Sequence, residues 1–240
     1  MKNVLIPTIL SADTINAVKT AVTQSKGENC TIYLMLVSEI PDTFSSAAFL
    51  RNIKNEMTVS QTEVLEVIRC ISECHSNCSL KIHHQYGISA PILKNLIAHF
   101  QINLSIVTPS YKEAQKKIHR QTLKIMANSK CPILHLSANF KEHDVNKAMY
   151  LEYDKSKIQA KDIQHMQEQF NFSIVSQAKV FEDQTSEEIA PLLADAISKN
   201  SINMLIETRK PEKISLKKKE KSTINETLGL PVLSLYEEII

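Results

Sequence analysis

Ala90-Pro91-Ile92-Leu93 returns in this chain as Ala190-Pro191-Leu192-Leu193. Ile102-Asn103 returns as Ile202-Asn203 at the same offset (190 − 90 = 100; 202 − 102 = 100). Cys131-Pro132-Ile133-Leu134-His135-Leu136 is echoed by Leu230-Pro231-Val232-Leu233-Ser234-Leu235 at offset 99 (231 − 132). Three apolar anchors in one order and at one spacing read as two copies of a unit of about a hundred residues, far longer than a solenoid repeat. The 240 residues therefore read as two α/β domains, 1–138 and a shortened 147–240. A polar stretch at 139–146 separates them.

Working outward from the anchors, short β-branched runs alternate with amphipathic stretches. Strands are expected at Asn3–Pro7, Thr31–Val37, Leu80–His84, Ile102–Val107 and Ile133–Leu136. Helices are expected at Ala12–Gln24, capped by Ser11 or Asp13, behind a capping box at Ser60–Glu63, after Ser89, and over 113–128. Val64, Ile68 and Ile71 mark one inward face, and Ile92, Leu96 and Ile97 another. Pro91 falls in a first helical turn, where a missing N–H costs nothing. The alternation implies a parallel sheet covered by helices. In the second copy a strand at Ala148–Tyr153 stands in for two strands and a helix of the first. A helix at 157–170 and a strand at 174–181 follow it.

Composition narrows the classes. With 43% apolar and 22% charged residues, the chain has the make-up of an ordinary globular protein. No apolar run approaches the roughly 20 residues of a membrane span, and Met1–Leu10 reads as a first strand and not as a signal peptide. Five cysteines, an odd number, fit a reducing cytoplasm better than a disulfide framework. The three glycines are Gly27, Gly87 and Gly229, the nearest two 60 positions apart (87 − 27). A glycine-rich phosphate loop needs several together, so every such fingerprint is excluded.

With these parts in order, residues 1–138 resemble a universal stress protein domain, and 147–236 resemble a worn copy of one. The family's first strand ends in proline-threonine-aspartate-aromatic-serine, and here the segment is Pro7-Thr8-Ile9-Leu10-Ser11. Gly87 to Ile97, Ile102 to Val107 and Cys131 to Leu136 match the family's later turn, helix and strands. The resemblance implies two tandem domains of the Rossmann-type, adenine nucleotide alpha hydrolase-like fold. It also implies that their last strands meet at a pseudo-two-fold axis, as an internal pseudo-dimer or in a homodimer. ATP-binding members carry an aspartate where Ile9 stands, and a loop with three glycines after the fourth strand. Here that loop begins Thr108-Pro109-Ser110-Tyr111-Lys112-Glu113, without glycine up to Cys131, and its echo is Thr208-Arg209-Lys210-Pro211. Pro109 also removes an N–H that phosphate could use.

The expected function is thus a non-enzymatic regulatory or scaffolding role in stress response. No cofactor is expected, nor ATP binding in the usual way, a nucleic-acid partner or a membrane. The alternative is a small-molecule, nucleotide or anion binder using the crevice at the strand C-termini, where ligands of open α/β sheets sit. Thr8, Ser11, Val37, Thr108 and Ser110 would line it. Lys112 and Lys116 in one copy, and Lys217 and Lys218 in the other, would supply anion-binding charge. Arg209 to Lys221 holds seven basic residues, whose plainer reading is a solvated helix face. Cys70, Cys74 and Cys78 recur every four residues beside His75. No distant second pair completes a zinc site, so no metal is expected. Cys70 and Cys74 are expected to pack as small apolar residues, with Cys78 near the helix end.

Overall fold

The structure is a computed structural model that describes residues 2–25, 27–40, 57–138, 145–153, 163, 170–180, 186–210 and 228–237. Helix 157–170 of the sequence reading falls outside these residues except for Ile163 and Phe170, and so do Lys217, Lys218 and the basic run beyond Lys210.

Nine strands form one sheet in the order β3-β2-β1-β4-β5-β9-β8-β6-β7. The first five are β1 (Lys2–Pro7), β2 (Cys30–Ser38), β3 (Cys78–Tyr86), β4 (Ile102–Val107) and β5 (Ile133–His135). The last four are β6 (Lys147–Tyr153), β7 (Ser173–Val180), β8 (Met204–Arg209) and β9 (Val232–Tyr236). All neighbours run parallel except β5 and β9, which pair antiparallel through Ile133–Ser234, Leu134–Leu233 and His135–Val232. The strands are parallel within each group, and this one antiparallel pair joins the last strands of the two groups. An isolated β5 would present a bare edge, and β9 takes it.

Among the described residues six helices cover the sheet: α1 (Asp13–Gln24), α2 (Val59–Glu73), α3 (Ala90–His99), α4 (Pro109–Glu113), α5 (Lys117–Ala127) and α6 (Ser186–Asn200). The helix expected over 113–128 begins only at Lys117, behind a separate short helix ending at Glu113, because Ala114 and Lys116 take extended ψ values of 124° and 135°. The capping box at α2 is built two positions earlier than its sequence suggests. Thr58 caps, Gln61 N–H donates to its hydroxyl, and Gln61 Oε1 accepts the Thr58 N–H. The N-cap of α1 is Ala12, which makes no side-chain cap. Ser11 and Asp13 are engaged elsewhere. On α3, Leu93 and Leu96 turn inward, whereas Ile92 is exposed.

The two ends of the sheet use the same local devices. Gln101 and Ser201 both end a helix with a left-handed residue (φ 50° and 51°), a conformation that L-residues rarely adopt. Asn103 Oδ1 accepts the Asn3 N–H at 3.0 Å, and Asn203 Oδ1 accepts those of Asn146 and Lys147 at 3.1 and 2.9 Å. Val4 lies opposite Leu104, as Ala148 lies opposite Met204. The Ser105 and Leu205 N–H groups reach Pro132 and Pro231 carbonyls, each at 2.9 Å. By these contacts β6 stands to β8 as β1 stands to β4. The β7-β6-β8-β9 group has one strand fewer than β3-β2-β1-β4-β5.

One face carries a single core running through both groups, with Ile6, Ile106, Tyr150 and Ile206 all fully buried. The opposite face carries two cores, one around Leu5, Val107 and Ile133 and one around Met149, Leu205 and Val232. Arg209 bridges the gap between them. Its guanidinium donates to the carbonyls of Ala127 (3.0 Å), Ser129 (2.9 Å) and Cys131 (2.6 Å), and to that of Ser234. Its charge lies 5.7 Å from the Tyr236 ring centre. Arg209 is thus a structural clamp at the end of β8, and the reading of it as part of a solvated helix face is corrected. Replacing it leaves the facing carbonyls without their charged donor. Arg209→Met is expected to lower stability by about 3 kcal/mol. Urea denaturation of both proteins checks this, and a change below about 0.5 kcal/mol, the range of ordinary surface substitutions, would refute the clamp.

Candidate functional site

The first crevice forms where β1 and β4 end side by side. After Pro7 the chain turns through Leu10, whose φ of 56° is left-handed. Thr8 holds this turn: its hydroxyl accepts the Leu10 N–H at 2.8 Å and pairs with the Thr14 hydroxyl at 2.8 Å. After β4, Thr108 caps α4 by accepting the Tyr111 N–H at 3.4 Å. Both threonines are fully enclosed. Tyr111 is completely buried beside His119, and burial pushes its phenol up to about 12. Val37 is buried in the β2 core.

The group that occupies this crevice is a side chain of the chain itself. Asp13, in the first turn of α1, accepts the Ser110 N–H on Oδ2 at 2.9 Å and the Ser11 hydroxyl on Oδ1 at 2.6 Å. An internal carboxylate thereby takes an amide beyond β4 that an anionic ligand would need. What remains is a cleft of about 250 Å³ lined by residues including Asp13, Asn16, Ser110, Glu113 and Ser137. Of the five crevice residues expected from the sequence, Ser110 alone lines it.

The corresponding ends of β8 and β9 show a second internal carboxylate. Glu237 is buried, accepts the Thr208 hydroxyl at 3.1 Å and faces the Lys210 ammonium at 3.8 Å. The lysines expected to bind anions are placed otherwise. Lys116 is an exposed residue at the start of α5. Lys112 is half-buried, and its charge acts on His135 and Glu207 across the seam. The sequence reading missed Asp13 as the acceptor of the Ser110 amide, because an aspartate at a helix start has an ordinary use as a cap.

Beside Arg209, β5, β8 and β9 bring together His135, Glu207 and Ser234. The His135 ring keeps an exposed edge, yet its Nδ1 is buried without a hydrogen-bond partner. Burial, with help from the Lys112 and Arg209 charges, pushes the imidazole down to about 3. Burial pushes the Glu207 carboxyl up, although its side chain also keeps some exposure. Lys112, Arg209 and the Ser234 hydroxyl oppose the shift.

The sign for His135 follows from its folded pKa lying below the unfolded 6.5. Below pH 6.5 the unfolded chain takes a proton that the folded chain refuses, so acid favours unfolding. Glu207 acts in the opposite sense, so the difference between two proteins is the informative quantity. From pH 6.5 down towards 3, the wild type is expected to lose up to about 1.4 kcal/mol per pH unit relative to His135→Leu. Denaturation midpoints measured across that range check it, and parallel stability curves would rule out a histidine held neutral.

No protein-family model matches the chain, and no curated protein sequence does. Solved structures do. A universal stress protein from Archaeoglobus fulgidus superposes with a TM-score of 0.53 at 10% identity, over 98% of this chain and 96% of that one. A protein of unknown function from Pseudomonas aeruginosa superposes with a TM-score of 0.51 at 10% identity, over 99% and 93%. At such low identity the likeness speaks for the fold alone. With the parallel strands and the crevice at their ends, it shows that this chain has the universal stress protein fold.

Proposed function

We propose that this is a universal-stress-type protein built from two copies of one α/β unit, the second lacking a strand, which acts by binding other molecules and performs no chemical step. The sequence repeat and the paired Asn103 and Asn203 contacts support the duplication. The copies form an internal pseudo-dimer. The β5 edge, through which two separate chains could pair, is already taken by β9. The role is regulatory or scaffolding, in a cytoplasmic setting suited to five free thiols.

The observation that carries the binding part of this reading is the Asp13 carboxylate on the Ser110 amide. A triphosphate brought to the same amide meets a negative charge already in place. Glu113 on the cleft wall adds a second carboxylate. Like charges at such range repel, more strongly where water is sparse. The remaining 250 Å³ also falls short of the roughly 300–1,000 Å³ of ordinary ligand pockets. A usual ATP mode therefore has neither the amides nor the space.

Titration with a fluorescent ATP analogue tests this, with unlabelled ATP as competitor. No saturable binding below about 1 mM is expected, and micromolar binding at one or two sites would overturn the proposal. Asp13→Ala provides an independent check on the internal contact. It removes an acceptor from a partly buried amide and is expected to cost about 1–2 kcal/mol of stability. An unchanged urea midpoint would show that the Asp13 contact does no structural service.

A further inference from the structure

Cys70 and Cys74 lie on α2 and at its C-terminal cap, outside every contact described so far. Contrary to the packing expected from the sequence, both are exposed. Cys78 is separated from them, buried as the first residue of β3. The run of three thiols is therefore a pair. The pair opens on a groove of about 900 Å³ between α1 and α2, with Val22, Val67 and Ile71 among its apolar lining and His75 at its margin.

The spacing of the pair is fixed by the helix. The Cys74 N–H donates to the Cys70 carbonyl at 3.0 Å, which holds the two residues one turn apart. Residues four apart on a helix have Cβ atoms about 5–6 Å from each other. A disulfide needs about 3.5–4.5 Å, so direct bonding of the two sulfurs strains the turn. One bridging atom that bonds each sulfur at about 2.3 Å, an ordinary metal–thiolate length, spans the gap without moving the backbone. The number of donors selects the ligand further. Among the described residues no group of three or more His, Cys, Asp or Glu is placed to hold a metal ion. His75 turns its Nδ1 back to the Ile71 carbonyl at 2.8 Å. The site thus offers two soft sulfurs, which suits a centre satisfied by two thiolates and leaves a four-coordinate ion such as zinc short of ligands.

We infer that Cys70 and Cys74 form a bidentate dithiol site for soft thiophilic centres of the trivalent organoarsenical class, with the apolar substituent seated on Val22, Val67 and Ile71. Capture is an exchange of ligands. Two As–S bonds form, the two As–O bonds of the hydrated oxide break, and the two thiol protons leave with those oxygens as water. No atom changes oxidation state.

Phenylarsine oxide is the probe. Reduced full-length protein is expected to bind one equivalent, read by intact mass. The adduct is expected to survive excess glutathione, a monothiol, and to be released by dimercaptopropanol, a dithiol. Cys70→Ser and Cys74→Ser each leave a single sulfur, and the apparent affinity in glutathione is expected to fall a hundredfold or more as the chelate is lost. Both side chains are exposed, so circular dichroism of the variants is expected to match the wild type. Cys131→Ser, at a buried thiol away from the groove, is expected to keep the glutathione-resistant adduct. The inference fails if glutathione strips the wild-type adduct, or if either Cys70→Ser or Cys74→Ser holds the probe as firmly as the wild type.

Discussion

The joint between β5 and β9 is the contact on which the rest of the molecule depends. β5 is three residues long and forms the edge of its group of strands. Three antiparallel pairs make the junction in the sheet, too few to hold two α/β units in one orientation. Arg209 supplies what the pairing lacks. From the end of β8 it reaches the carbonyl where α5 ends, two more leading into β5, and one on β9. Burial draws its guanidinium down to about 10, with the partial negative surroundings of Cys131, Glu207 and Tyr236 opposing the shift. It stays charged at neutral pH, so each carbonyl receives a charge-assisted donor. A lysine could not replace it, because a point charge cannot serve four acceptors arranged around a plane.

The same joint explains why polar groups collect at the seam. On the opposite face the core is continuous from one group of strands to the other. On the Arg209 face the two cores stop short of each other. A cation placed in that gap needs carboxylate and carbonyl company, and Glu207 and Ser234 provide it from β8 and β9. His135 is the cost of this arrangement. Its Nδ1 is buried without a hydrogen-bond partner, and the Lys112 and Arg209 charges add to burial in disfavouring the charged ring. Burial first, and the neighbouring Lys112 and Arg209 charges second, favour the neutral imidazole.

Several features were legible in the sequence because they rest on local rules. Ile102–Val107 was bounded to the residue, since a β-branched run there follows the left-handed Gln101 directly. Ser89 and Pro91 mark the start of α3 by capping and fixed φ alone. Other features rest on what the chain meets in space. Arg209 is the one arginine of the run Arg209–Lys221, but that it ends a strand opposite Tyr236 and reaches four carbonyls is set in space and not by its neighbours in sequence. Cys70 and Cys74 share a helix with Val64 and Ile68, but they lie on the stripe that α1 leaves uncovered, and periodicity cannot say how wide the covered stripe is. The capping residue of α2 was misplaced by two positions because Thr58 and Ser60 offer the same hydroxyl. Tertiary contact chooses between them, since the Gln61 side chain also donates to the Ile9 carbonyl at 3.0 Å.

That last bond connects the cap to the crevice. Ile9 stands where an ATP-binding relative would carry an aspartate, and its carbonyl is held by α2. Leu10 beyond it is strained into a left-handed turn by Thr8, and Ser11 leads on to Asp13. Four successive positions after β1, Thr8 to Ser11, are thus tied to the protein's own groups, and Asp13, two residues on, delivers a carboxylate to the Ser110 amide. A crevice kept open for phosphate would leave such amides unpaired and rely on glycine for the approach. This one satisfies them internally, which lowers the cost of an unliganded state. The glycine-free loop after β4 and the internal acceptor at Asp13 therefore support the same proposed reading of this crevice.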